Sequence, residues 1–232
     1  MIIELFGAPG SGKTFLTNQF IERAHKNRKF ISREDFVSWI KDQDRLYELR
    51  CIFRNLFFSI SYSLLLVFLR VTVQKPNVEK LWIPRAVLNE VLLREFMRLN
   101  SGSVILLDQG SIQRIVCYIL FTSQYHPTYT RFILNLIFPL LDKCKIHIFV
   151  NTDISISTDR VINRSKDPSV SRFDSIHCKD SLYEQISEVT QLFSSLALAI
   201  DSKKSKSYTF DNTKENKLNT NAFDKLISTI LK

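Results

Sequence analysis

The sequence predicts an α/β fold: a five-stranded parallel sheet flanked by helices, with a helical insertion around residues 46–100. Three observations carry that expectation. Continuous apolar runs at Met1–Phe6, Ser103–Leu107 and Lys145–Val150 read as strands buried on both faces. Stretches with helical apolar spacing lie between them. The first run leads directly into Gly7-Ala8-Pro9-Gly10-Ser11-Gly12-Lys13-Thr14, a complete G-x-x-x-x-G-K-[ST] pattern.

Taken in order, the first strand covers residues 2–6. A helix follows from Thr14 to Lys26, with apolar residues at Phe15, Leu16, Phe20 and Ala24. Lys29-Phe30-Ile31-Ser32 is a short second strand, ended by the polar cluster Arg33-Glu34-Asp35. A long helical region over 46–73 stops at the polar break 74–77. Within it, the apolar stretch 55–69 is too short for the roughly 20 residues that span a bilayer, and it is read as a central buried helix. Pro84 opens another helix, with Val87, Leu88, Val91, Leu92, Phe96 and Leu99 on its apolar side, closed by Asn100-Ser101-Gly102. The third strand ends in Asp108. Helices are expected over 111–123 and 128–141, and the fourth strand ends at Asn151-Thr152-Asp153. A helix over 154–165, a loop over 166–175, a helix over 181–200, a strand over 207–210 ending at Asp211 and a helix over 221–231 complete the chain. The whole of 1–232 reads as one domain.

The glycine-rich turn has a chemical rationale at each position. Gly7, Gly10 and Gly12 allow backbone angles at which successive N–H groups converge on phosphate oxygens, with Ala8, Pro9 and Ser11 completing the cradle. Lys13 supplies a mobile positive charge, the Thr14 hydroxyl is a candidate Mg²⁺ ligand, and the helix amino terminus points at the anion. A nucleotide triphosphate is the expected occupant.

Composition narrows the rest. Lys and Arg exceed Asp and Glu by nine in 232 residues, which suits a polyanionic ligand. No dense basic run or basic-aromatic ribbon points to nucleic acid. Cys51, Cys117, Cys144 and Cys178 form no C-x-x-C pair and read as reduced thiols of a cytoplasmic protein, and a strand beginning at residue 2 leaves no room for a signal peptide. The histidines at 25, 126, 147 and 177 share no metal-like spacing, and His147 reads as a core residue.

In an open parallel sheet, ligands sit beyond the carboxyl ends of the strands, so Arg33, Glu34, Asp108, Asp153 and Asp211 are the next candidates. Asp108 could hold Mg²⁺ or accept the proton of an attacking hydroxyl; capping the next helix is the structural alternative. Gly110 suggests a backbone close to a ligand. Arg160 and Arg164 share a helix face after the fourth strand and Arg172 follows, a set able to neutralise a moving phosphoryl group or simply to form a solvated basic face.

These residues together resemble the P-loop kinases of nucleotides and small molecules, and within them the thymidylate-kinase-like branch. The resemblance rests on the Walker A loop, on Ser32-Arg33-Glu34 (similar to T-R-E-P), on Leu107-Asp108, and on Arg160-x-x-x-Arg164 with Arg172-Phe173-Asp174, similar to a lid with a trailing R-F-[DE]. It implies ATP–Mg²⁺-dependent phosphoryl transfer. Lys13 and Thr14 would grip ATP and metal, Asp108 and Glu34 would serve metal or acceptor, Arg33 would lie on the acceptor side with 36–100, and Arg160, Arg164 and Arg172 would act from a lid over 160–175. The segment after Asp211 would lie near the adenine. Asp108-Gln109-Gly110 departs from the branch's D-R-[YFH], and no P-G-G follows Glu34. Thymidylate thus competes with a hydroxyl-bearing nucleoside, sugar or other metabolite. Expected partners are a nucleotide and a small-molecule acceptor, with a homodimer as an open assembly state; nucleic acid and membrane are not expected. The rival reading is an ATPase switch or assembly module acting through a partner or membrane surface.

Overall fold

The computed structural model describes residues 1–24, 30–72, 82–110, 112–113, 145–164, 179–201, 207–213 and 220–230. The expected helices at 111–123 and 128–141, the 166–175 loop with Arg172, three histidines (25, 126, 177) and three cysteines (117, 144, 178) lie outside these apart from Ile112 and Gln113. The elements run β1 (Ile2–Phe6), α1 (Lys13–Ala24), β2 (Phe30–Ile31), α2 (Arg33–Lys41), α3 (Arg45–Arg54), α4 (Leu56–Thr72), α5 (Trp82–Leu99), β3 (Val104–Leu107), β4 (Lys145–Asn151), α6 (Ile154–Arg164), α7 (Lys179–Asp201), β5 (Ser207–Asp211) and α8 (Thr220–Ile230).

The five strands form one parallel sheet in the order β2-β3-β1-β4-β5. β1 is central, with Ile3 opposite both Leu106 and Ile146, so every strand end near the glycine turn faces the same edge. Side-chain alternation splits the core in two. Ile2 and Phe6 pack with Ile105, Phe149, Leu92, Phe96 and Phe193, where Phe6 lies 5.5 Å from the Phe149 ring. Ile3 and Leu5 pack with Leu16, Phe20, Phe210 and Phe223, and the Phe20 and Phe223 rings meet edge to face at 4.9 Å. Each buried ring contributes about 2–3 kcal/mol of apolar transfer. Both faces of β1 are therefore covered, as its apolar run, interrupted by Glu4 alone, requires. Phe15, counted on the apolar face of α1, is instead exposed; Leu16 and Phe20 carry that contact.

The helical insertion differs from expectation in three ways. First, Arg33-Glu34-Asp35, read as the polar end of the second strand, begins a helix, α2. The Ser32 hydroxyl accepts from Asp35 N (3.2 Å) while Asp35 accepts from Ser32 N (2.8 Å), a capping box that satisfies two otherwise unpaired helix-end donors. Second, the long helix is broken into α3 and α4 at Asn55, whose side-chain amide donates to the Cys51 carbonyl at 3.0 Å. Third, the 55–69 stretch is not a buried helix. Ser59 and Tyr62 face α5, and the Arg94 guanidinium lies 3.5 Å over the Phe58 ring, while Leu56, Phe57, Ile60, Leu64 and Val67 face outward. Among the described residues, no helix is long and apolar enough to cross a membrane.

Candidate active site

The site is built where β1, β3, β4 and β5 end. β1 stops at Phe6 and the chain turns through Gly7–Gly12 before Leu16 N donates to the Gly12 carbonyl at 3.0 Å and α1 begins. Gly10 (φ +78°) and Gly12 (φ +92°) occupy the left-handed region, where side-chain-bearing residues are strained. Space adds a second constraint. A Cβ on Gly10 would collide with the Ser157 carbonyl of α6, and one on Gly12 with the side-chain amide of Asn212.

Lys13 Nζ reaches back over the turn and donates to the carbonyls of Gly7 (2.9 Å) and Ala8 (2.8 Å), with Ser11 Oγ at 3.4 Å. Its charge is thereby held over the cradle. The Thr14 hydroxyl donates to Asp108 Oδ2 at 3.1 Å, and Arg33 Nη1 lies 3.9 Å from Asp108 Oδ1. Arg160 Nη1 donates to the Gly10 carbonyl at 3.2 Å. Lys13, Thr14, Arg33, Asp108 and Arg160 thus converge on one edge of the sheet. Glu34 is exposed in the first turn of α2 beside Arg33. Arg164 ends α6, and Arg172 lies outside the described residues.

Other candidates have different roles. Gly110 has a reason within the protein to lack a side chain: a Cβ there would run into the carboxylate of Glu4, a buried residue of β1 that accepts from Ile112 N at 2.6 Å. Asp153 accepts from Ser155 Oγ (2.5 Å) and Ser155 N (2.8 Å) at the start of α6, and these bonds hold its carboxyl below the usual carboxylate range. Asp211 accepts from Thr213 N at 3.1 Å. His147 is buried within β4.

Two residues that the sequence did not mark as site candidates touch the loop directly. Asn212 Nδ2 donates to the Ser11 carbonyl at 2.8 Å, and Thr152 Oγ1 lies 2.9 Å from the same oxygen and 2.8 Å from the Asn151 carbonyl, its one proton shared between them. Each is the immediate neighbour of an acid, Asp153 or Asp211, that was singled out. A carbonyl needs a donor, which a carboxylate cannot be at neutral pH. Gln113 Oε1 accepts from Gly7 N at 3.4 Å.

The donor set also fits a hard cation. Mg²⁺ usually takes only one or two protein oxygens and completes its shell with phosphate and water, and the Thr14 hydroxyl faces the Asp108 carboxylate beside the cradle. Among the described residues, no cluster of three His, Cys, Asp or Glu could hold a metal by itself.

The sheet order, the parallel strands and the loop on β1 define a phosphate-loop α/β fold. No family model and no curated protein matches the chain. Among solved structures, it is similar to deoxyadenosine kinase from M. mycoides with bound dATP, at 14% identity over 100% of this chain and 99% of that one, TM-score 0.46. It is also similar to shikimate kinase from Acinetobacter baumannii in complex with shikimate (13% identity, 99% and 90% coverage, TM-score 0.43) and to TT1252 from Thermus thermophilus (12%, 100% and 96%, TM-score 0.43). Identities and TM-scores this low leave residue roles to the chain's own geometry.

Proposed function

We propose that this protein is an ATP–Mg²⁺-dependent kinase that transfers a phosphoryl group to a small-molecule acceptor. The observation that carries the reading is the Thr14–Asp108 hydrogen bond beside Lys13 at the head of α1. It joins a hydroxyl from the first turn of α1 to a carboxylate just after β3, next to a charge and a helix amino terminus suited to a triphosphate. Thr14 and Asp108 would hold Mg²⁺, which when bound neutralises charge on the β- and γ-phosphates. Pairing with Thr14 supports a metal-side role for Asp108 over that of general base. Lys13 orients the phosphates, and Arg160 supplies a second cation over the loop, where charge spreads as the phosphoryl group moves.

The acceptor side is assigned to 36–100, entered through Arg33 and Glu34, and the lid to 160–175 within one domain. The thymidylate-kinase-like branch is the finer assignment, supported by Ser32-Arg33-Glu34 opening α2 and by Arg160. Gln109 in place of an arginine favours a hydroxyl-bearing acceptor over a nucleoside monophosphate. A cytoplasmic location belongs to the same reading and accords with the free thiol of Cys51.

A homodimer is the further part of the proposal. Leu46, Phe53, Ile60 and Val67 are exposed and recur every seven residues, with Leu49, Leu56, Phe57 and Leu64 beside them; Phe57 is 87% and Phe53 71% exposed. Taking 150–250 Å² for an aromatic side chain, this stripe amounts to roughly 800 Å², the share each partner gives to a standard interface. The segment 41–54 carries both signs, Asp42, Asp44 and Glu48 with Lys41, Arg45, Arg50 and Arg54. That mixture suits a self-complementary partner better than an anionic membrane, and the same stripe is the one observation favouring the rival switch reading.

The deciding experiment measures ATP consumption by the wild type and by Lys13→Ala over a panel of nucleosides, nucleotides and sugars. Acceptor-dependent turnover abolished by the substitution supports the proposal. Hydrolysis indifferent to every acceptor rejects it.

A further inference from the structure

We propose that Thr152 and Asn212 are positioning residues that aim the Gly12 N–H at the bound triphosphate, an inference that rests on the kinase reading. The Ser11 carbonyl faces both side chains, at 2.9 and 2.8 Å, with its two lone pairs toward donors from the ends of β4 and β5; the single Thr152 hydroxyl proton is shared between this oxygen and the Asn151 carbonyl at 2.8 Å. The peptide that carries this oxygen also carries the Gly12 N–H. In a planar trans peptide the C=O and N–H point in opposite directions, so an oxygen held toward β4 and β5 turns the N–H the other way.

The clamp is itself rigid. Thr152 is 4% and Asn212 9% exposed, and Asn212 N donates to the Asn151 carbonyl at 2.8 Å, tying its backbone to the strand that supplies Thr152. Gly12 must lack a side chain because the Asn212 amide stands where a Cβ would be. Without the two donors, nothing among these contacts opposes rotation of the Ser11–Gly12 peptide. That rotation would exchange a donor for a carbonyl dipole of the wrong sign toward phosphate.

The test titrates ATP–Mg²⁺, inorganic tripolyphosphate and adenosine into the wild type, Thr152→Val, Thr152→Ser, Asn212→Ala and the Thr152→Val/Asn212→Ala double variant, with melting temperatures in parallel. Each donor removed should weaken ATP and tripolyphosphate about tenfold and leave adenosine unchanged, while Thr152→Ser, which keeps the hydroxyl, binds as wild type. The near-isosteric Val and Ser pair carries the test if Asn212→Ala fails to fold. Wild-type tripolyphosphate affinity in Thr152→Val, or an equal loss for adenosine and tripolyphosphate, overturns the clamp and leaves the kinase reading standing. A wild type that binds no triphosphate overturns both.

Discussion

Thr14 donates its hydroxyl proton to Asp108 Oδ2 across 94 residues of sequence, joining the first turn of α1 to the end of β3. The two strands concerned are neighbours, paired through Ile2–Ile105 to Glu4–Leu107, so their carboxyl ends stay in register and deliver both side chains to one place. Arg33, the first residue of α2 just after β2, approaches the other carboxylate oxygen. The segments that follow three neighbouring strands, β2, β3 and β1, thereby contribute to one polar centre.

Thr14 and Asp108 should behave as a unit. Asp108→Asn and Thr14→Val are each expected to lower kcat by about 10²–10³, with the double variant little worse than either, because each removes the same metal-side pair. Steady-state kinetics over a Mg²⁺ series checks this; additive losses would argue for separate roles.

Lys13→Ala should reduce kcat/KM by at least about a hundredfold, the scale of losing one preorganised electrostatic donor. Its melting temperature should stay close to wild type, since the bonds it gives up are to loop carbonyls at the molecular edge. Kinetics with parallel calorimetry separates the two effects.

Gly10→Ala should be costly to the loop. The left-handed backbone penalty is about 1–2 kcal/mol, and the collision with the Ser157 carbonyl adds to it. A melting temperature lower by several degrees, with triphosphate affinity down at least tenfold, is the expected result.

Glu95 should govern part of the acid stability. It is 3% exposed and accepts from Arg98 Nη2 at 2.7 Å and Arg54 Nη1 at 2.5 Å, and these bonds, that from Arg98 foremost, hold its carboxyl below the usual range despite burial. A folded-state pKa below the unfolded one near 4.3 gives stability that is complete above that value and lost as pH falls through the folded pKa. Glu95→Gln should cost about 1–3 kcal/mol at pH 7 and flatten the acid limb of the curve. Urea unfolding at pH 7 and pH 3 measures both.

Phe53→Glu with Phe57→Glu should give a monomer of unchanged melting temperature if α3 and α4 pair with a second copy, because both rings lie largely outside the core. Sedimentation velocity decides. A wild type that sediments as a monomer removes the dimer and leaves the kinase proposal in place.

Among the described residues, local sequence specified the strands, the loop and most helices, because apolar runs, helical spacing and a glycine-lysine turn are dictated by neighbouring residues. The burial of α4 was not legible in the same way. Its apolar composition pointed inward, but which side of the helix is covered depends on its neighbours: Arg94 of α5 lies over Phe58, Ser59 and Tyr62 are buried, and Phe57 and Leu64 are exposed. Gly110 shows the same limit, since its constraint is the carboxylate of Glu4, 106 positions earlier. In the site, Lys13, Thr14 and Asp108 could be recognised because their type and place after a strand carry the chemistry. Thr152 and Asn212 are ordinary polar residues until parallel pairing of β1, β4 and β5 brings both to the Ser11 carbonyl, a long-range consequence of strand order that no local pattern encodes.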